Sequence, residues 1–385
     1  MEPLHGPIKD YAWGSRSALA ELQGRPVPSA TPEAELWLGA HPCAPAAVER
    51  AGRRVALTEV LAAEPVDWLG QPVLERFGTR LPFLLKVLAA AAPLSLQAHP
   101  DAEQARAGYA VEQARIGGHR NYVDPFHKPE LLVALGPMEA LCGFRDPDAS
   151  ARALAALGVP QLRPVLAALA AGPTGLAEAV RRLLEWPMAE RAGLVAAARA
   201  AGGPDADLVS RLADAYPADP GVLVALLLNR VRLAPGEAIW MPAGNLHAYL
   251  EGTGVEVMAA SDNVLRGGLT PKHVDVAELL RVLRFEVLDR PVVPPREVAD
   301  GVVTWPVPVD DFALHRVTVG DRRREVTLAV PGPRVVLCTA GRITVTDGVA
   351  SVALEPGRAA VGRAAGGVLT VTGEGETYIA STGLV

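Results

Sequence analysis

Two histidines, a carboxylate and an amide, each beside a short apolar run, are the residues of this sequence whose types could do chemistry together. The first stretch is Leu94-Ser-Leu-Gln97-Ala-His99. Side chains of an extended strand alternate faces, so Ser95, Gln97 and His99 share one side and Leu94, Leu96 and Ala98 the other. On spacing alone, a half-buried strand with one wet face reads the same way. A second stretch, His127-Lys128-Pro129-Glu130, puts a carboxylate at the head of the apolar run Leu131 to Leu135. In a third, Trp240-Met-Pro-Ala-Gly-Asn245-Leu-His247, an imidazole follows a turn marked by Pro and Gly. Gln97, His99, Glu130 and His247 form a mixed nitrogen and oxygen donor set of borderline hardness. Such a set suits zinc or a similar divalent ion, with room for water or substrate. No single spacing proves the site. An iron oxygenase built on two histidines and a carboxylate, or a sugar-binding regulator without catalysis, would draw on the same residues.

These residues need strands to hold them. Residues 1–146 read mainly as strands and loops, with Leu57–Ala63 and the stretch after Asp101 as short helices. From 147 to 229 the texture turns to Ala, Leu and Arg, with apolar residues at three- and four-residue steps, which predicts a helical insert. Strand-like sequence returns over 230–289 and must carry His247 back to the ion. Residues 290–385 alternate short strands with Gly-marked turns, the pattern of a cupin-type jelly roll. Leu233-Ala-Pro-Gly-Glu-Ala-Ile-Trp-Met-Pro and Leu354-Glu-Pro-Gly-Arg-Ala-Ala-Val-Gly are alike, which hints at an internal repeat. The second copy lacks a histidine, so it is expected to bind no metal. The expected fold is mainly β: two cupin-type jelly rolls with a helical domain inserted in the first.

Composition narrows the partners. A net charge of −6 argues against nucleic acid or an anionic membrane surface, and no apolar run is long enough to span a bilayer. Cys43, Cys142 and Cys338 show no paired spacing and are expected to be buried, inert thiols in a cytoplasmic protein. Only four of the 37 cationic side chains are lysines, Lys9, Lys86, Lys128 and Lys272. Lysine is thus kept where a compact point charge is wanted. Lys86 sits in an otherwise apolar strand, where it must reach a polar cavity or carry a large desolvation cost.

Six ordered motifs resemble the type I phosphomannose isomerases. They are Tyr11-Ala-Trp-Gly-Ser15, Ala34-Glu-Leu-Trp-Leu-Gly-Ala-His-Pro42, Leu81 to Leu88, Leu94 to Asp101, His127 to Glu130, and Gly244 through Lys272. The resemblance implies an aldose–ketose isomerase acting on mannose 6-phosphate and fructose 6-phosphate, with one zinc ion per chain. A single ion favours proton transfer through an enediol over a two-metal hydride shift. Arg266, Glu256 and Lys128 are expected to be catalytic, with the identity of the base left open. Lys86, Ser95, Lys272 and Asp262 are expected to hold the substrate. His41, His127 and His273 are expected to support the site by hydrogen bonding, and a monomer is expected.

Overall fold

A computed structural model describes residues 1–384. Two 11-stranded sheets, with strands paired antiparallel, stand against one another, and helices cover one end. The first sheet runs Val292–Val293, Ala238–Met241, Glu130–Ala134, His247–Ala259, Phe83–Ala90, Glu35–Gly39, Ile8–Lys9. Leu228–Leu233, Met138–Phe144, Gln97–Ala98 and Leu265–Arg266 join it off that path. The second sheet is built from strands after Arg296, completed by Glu2–His5, Ala47–Arg50 and Arg53–Ala56 from the N-terminal segment. Residues 1–146 therefore contribute to both sheets, and Val292–Val293 belongs to the first.

The 13-residue strand His247–Ala259 positions the site. Its first part pairs with Met138–Phe144 and Gln97, and its second with Phe83–Ala90 and Glu130–Ala134. The strand changes ladders at Gly252, whose φ is +121°, beside a register shift between Tyr249 and Glu251. A Cβ at Gly252 would stand 2.7 Å from the Met138 Cα, so only glycine permits this bend. Arg334–Thr346 turns in the same way, with Gly341 at φ +72° beside a register shift.

Alternation within these strands sorts core from site. Leu85, Val87, Val255, Val257, Leu131 and Val133 form one core with Leu314, Val335, Leu337 and Tyr378 of the second sheet. Lys86 and Glu256 point the other way. Helices lie between Pro147 and Val224, and their apolar faces pack on Leu96, Ala98, Leu246 and Leu265. At about 25 cal/mol per Å² of apolar surface, this packing holds the otherwise two-residue strand Gln97–Ala98 in place. The helix Ala102–Gln113 opens on a reciprocal capping box between Asp101 and Gln104. No helix among the described residues is long and apolar enough to cross a membrane.

Candidate active site

His99 and His247 arrive on different segments that one hydrogen bond ties together, from the Gly244 amide to the His99 carbonyl at 2.8 Å. Gly244 has φ +77°, and a Cβ there would meet the Val282 carbonyl at 2.9 Å. Glu130 enters from the neighbouring ladder. His99, Glu130 and His247 are buried, at 1%, 3% and 3% exposure. The His99 Nε2 is 3.4 Å from Glu130 Oε1, and the His247 Nε2 is 3.2 Å from Glu130 Oε2.

Backbone carbonyls fix both imidazoles. The Nδ1 of His99 donates to the Asn263 carbonyl at 2.7 Å, and that of His247 to the Asn245 carbonyl at 3.1 Å. In neutral rings both Nε2 atoms are then lone-pair donors. Burial pushes His99 down to about 4, so it is uncharged near neutrality and its approach to Glu130 is no ion pair. Burial opposes ionisation of Glu130, yet Lys128 Nζ at 3.0 Å helps to hold it well below the usual carboxylate range. The His99 Nε2 lone pair thus faces an anionic carboxylate and is buried without any hydrogen-bond partner. Such an arrangement is repulsive unless a cation sits between the groups, so these residues fit a divalent ion.

Gln97 stands opposite His247 in one ladder and opposite Arg266 in the next, so Arg266, Gln97 and His247 form a row across three strands. The Gln97 amide nitrogen donates to Ser95 Oγ at 3.1 Å, which directs the amide oxygen elsewhere. This row opens into a cavity of about 560 Å³. Ser95, Gln97, Lys128, Glu130, Asp262, Arg266 and Lys272 all line it, as do Lys86, Glu256 and His247. His99 lies behind that wall.

Lys86 and Glu256 face each other in register across neighbouring strands, with Nζ 3.1 Å from Oε2. The same ammonium is 3.6 Å from Glu35 Oε1. Its expected phosphate contact therefore competes with two buried carboxylates. Burial opposes its charge, but Glu35 and Glu256 hold Lys86 firmly protonated. Glu256 shares that cation, yet its carboxyl is raised above the ordinary glutamate value, first by burial and then by the negative charges of Glu130 and Glu35. The Tyr249 hydroxyl donates to its other oxygen at 2.5 Å. Arg266 and Lys272 make no ion pair among the described residues; burial alone lowers the Arg266 pKa.

Sequence reasoning missed Glu35 and Tyr249. Glu35 carried a usable signal, a carboxylate in the apolar strand Ala34 to Gly39, the mirror of Lys86 in its own strand. Tyr249 gave none, because tyrosine two residues after His247 is ordinary in a strand. His127 lies outside the cavity wall, its Nε2 2.9 Å from Asp311. One expectation is corrected: Cys43 is exposed, because it sits in the turn after strand Glu35–Gly39, whereas Cys142 and Cys338 are buried.

Residues 1–147 match the family model described as phosphomannose isomerase type I, catalytic domain. The chain is 38% identical to the mannose-6-phosphate isomerase of Escherichia coli (strain K12), over 97% of this chain and 98% of that one. It is 32% identical to the human mannose-6-phosphate isomerase, over 89% and 88%. Among solved structures, a histidine-to-alanine mutant of phosphomannose isomerase from Salmonella typhimurium superposes with a TM-score of 0.90 at 34% identity, covering both chains completely. A mannose 6-phosphate isomerase bound with zinc and yttrium does so at 0.88 and 34%, again over the whole of both chains.

Proposed function

The chain belongs to the type I phosphomannose isomerases, and from that premise we infer that it interconverts mannose 6-phosphate and fructose 6-phosphate in the cavity between Gln97, Glu256 and Lys272. The carrying observation is the donor set His99, Glu130 and His247, an orphaned nitrogen and an anionic carboxylate that suit a divalent cation. One zinc ion per chain would be held by these three and the Gln97 amide oxygen. When bound, it would act as a Lewis acid toward the sugar oxygens at C1 and C2.

The remaining work falls to the chain. Glu256, its carboxyl raised above the ordinary glutamate value, takes the proton from C2. The electrons of that bond form the C1–C2 double bond of an enediol as the C1–O π pair moves onto its oxygen; in the second half the C1–C2 π pair takes the proton from Glu256 at C1 while the C2–O π bond forms. Lys86 and Tyr249 keep Glu256 oriented, since each bonds a different carboxylate oxygen. Lys128 is assigned the proton that passes from the C2 oxygen to the C1 oxygen. Arg266, next to Gln97, stabilises charge developing on the enediol oxygens. Lys272, a cation without a carboxylate, anchors the phosphate with Ser95. Asp262 lines the same wall and holds a sugar hydroxyl.

Each sheet system is read as a jelly roll of cupin type, a reading supported by long strands that change ladders at Gly252 and Gly341. The expected bounds shift with the strand order: the metal-free roll would be formed by residues 296–384 with Glu2–His5, Ala47–Arg50 and Arg53–Ala56, the helical domain by residues 147–229, and the catalytic roll by the rest of 1–146 with 230–293. The free exposed thiol of Cys43 supports a reducing compartment such as the cytoplasm. A coupled assay with mannose 6-phosphate, before and after chelation, tests the function: no turnover by the zinc-loaded chain would refute it.

A further inference from the structure

A second group of donors lies beside the cavity, and two of its three members, His41 and Cys43, have no part in the chemistry above. His41 and Cys43 belong to one turn, closed by the Ala44 amide on the His41 carbonyl at 3.1 Å. The Cys43 Sγ is 3.1 Å from His41 Nδ1. On the other side of the ring, His41 Nε2 is 3.4 Å from Asp262 Oδ1. One donor atom from each of the three residues lies within 4.8 Å of the other two. Around a tetrahedral zinc-like ion with bonds of about 2.0–2.3 Å, donor atoms stand roughly 3.3–3.7 Å apart. Cys43 and Asp262, both exposed, flank opposite nitrogens of the buried His41, so one of the two side chains must rotate for all three to reach a common ion. Asp262 is anchored from behind, its amide donating to Asp124 Oδ2 at 2.9 Å.

We propose that His41, Cys43 and Asp262 form a second binding site for a soft or borderline divalent cation such as zinc or cadmium, with water completing the shell. Thiolate with imidazole and carboxylate selects that class over magnesium or calcium. Burial and Asp262 raise the Cys43 thiol above its ordinary value, which argues against a free reactive nucleophile at this position. The site is coupled to the first in two ways. Asp262 lines the sugar cavity, and Asn263 next to it supplies the carbonyl that orients His99. An ion at the second site draws Asp262 away from the substrate, so excess zinc raises KM for the sugar phosphate.

The test uses the full chain carrying one tightly held zinc, with cobalt(II) added as the probe. The expected result is one further equivalent bound, with a thiolate-to-cobalt charge-transfer band in the near ultraviolet. Exchange of ions at the first site adds no such band, because that site has no thiolate. Cys43→Ser and Cys43→Ala should keep isomerase activity, lose the band and bind the second ion at least tenfold more weakly. Zinc in excess should raise KM in the unaltered chain and not in these variants. No second equivalent by equilibrium dialysis, or a band that survives in both Cys43 variants, overturns the proposal. Because uptake and absorption are read without turnover, their failure is distinct from failure of the isomerase assignment.

Discussion

Lys86 and Glu256 face each other in register on neighbouring strands, 3.1 Å apart and almost wholly buried, yet the carboxyl is raised rather than lowered. One ammonium serves two carboxylates, Glu256 and Glu35, and burial with the negative charge of Glu130 outweighs its help. The result is a buried carboxyl poised for proton exchange and held on both oxygens.

Glu256→Gln keeps the shape and removes the proton carrier, and should lower kcat by at least about 10²-fold, the scale of general base catalysis. In the unaltered enzyme the acid limb of kcat/KM should lie above the ordinary glutamate value of about 4.3, because Glu256 must be ionised to act. Stability runs the opposite way to activity. A carboxyl raised on folding favours the protonated native state, so its contribution is most favourable at acid pH and is lost as pH rises through the folded value. A pH–rate profile with its acid limb at an unshifted carboxylate value would remove Glu256 from this role.

Replacing Lys86 with Met leaves Glu35 and Glu256 buried without their cation. Breaking a buried pair from one side costs roughly 3–5 kcal/mol. Denaturant unfolding should show a loss of that order, and adding Glu256→Gln should recover part of it without recovering turnover. A Lys86→Met chain as stable as the parent would mean that the pair is not formed.

Arg266→Ala should cut kcat by about 10²–10³-fold with zinc content intact, as expected when a donor to developing charge is removed. Lysine should rescue poorly, since it lacks the planar fork. An unchanged kcat with raised KM would move Arg266 to the phosphate.

For Lys272 the opposite pattern is expected. Losing one charge-assisted bond to phosphate, worth about 1.5–3 kcal/mol, should raise KM roughly 10- to 150-fold, with kcat little changed. Discrimination against unphosphorylated mannose should fall in parallel. Steady-state kinetics on both sugars decide this.

Much of the site was legible because its residues break the pattern of their surroundings. Ser95, Gln97 and His99 alternate with Leu96 and Ala98, which pack under the helices, and Lys86 is a charge in an apolar strand. The helical stretch was legible from its periodicity, beginning at Pro147 as expected. What escaped was non-local. Nothing in Glu2–His5 says that it pairs with Ala359–Val361 at the far end of the chain, nor in Ala47–Arg50 that it joins the same sheet through Leu4 and His5, because a pairing partner leaves no local mark. Cys43 escaped for a related reason: its exposure depends on a turn whose other wall is Asp262, more than 200 residues downstream.

Chelation should release one zinc per chain and lower the unfolding midpoint, because an ion bound only by the native state stabilises it by about 2.7 kcal/mol at one hundred times its Kd. His99→Ala and His247→Ala should each fail to retain the ion on dialysis. Full metal content in both variants would place the ion elsewhere.

The central claim is that a proton, and not a hydride, moves between C1 and C2 within this cavity. Mannose 6-phosphate carrying deuterium at C2, turned over in ordinary water, tests it most directly. A proton held on Glu256 can exchange with solvent before it is returned, so the account predicts fructose 6-phosphate with part of the C1 label replaced by hydrogen. Complete retention of the label at C1, unchanged by pH or temperature, would be the signature of direct hydride transfer and would contradict it.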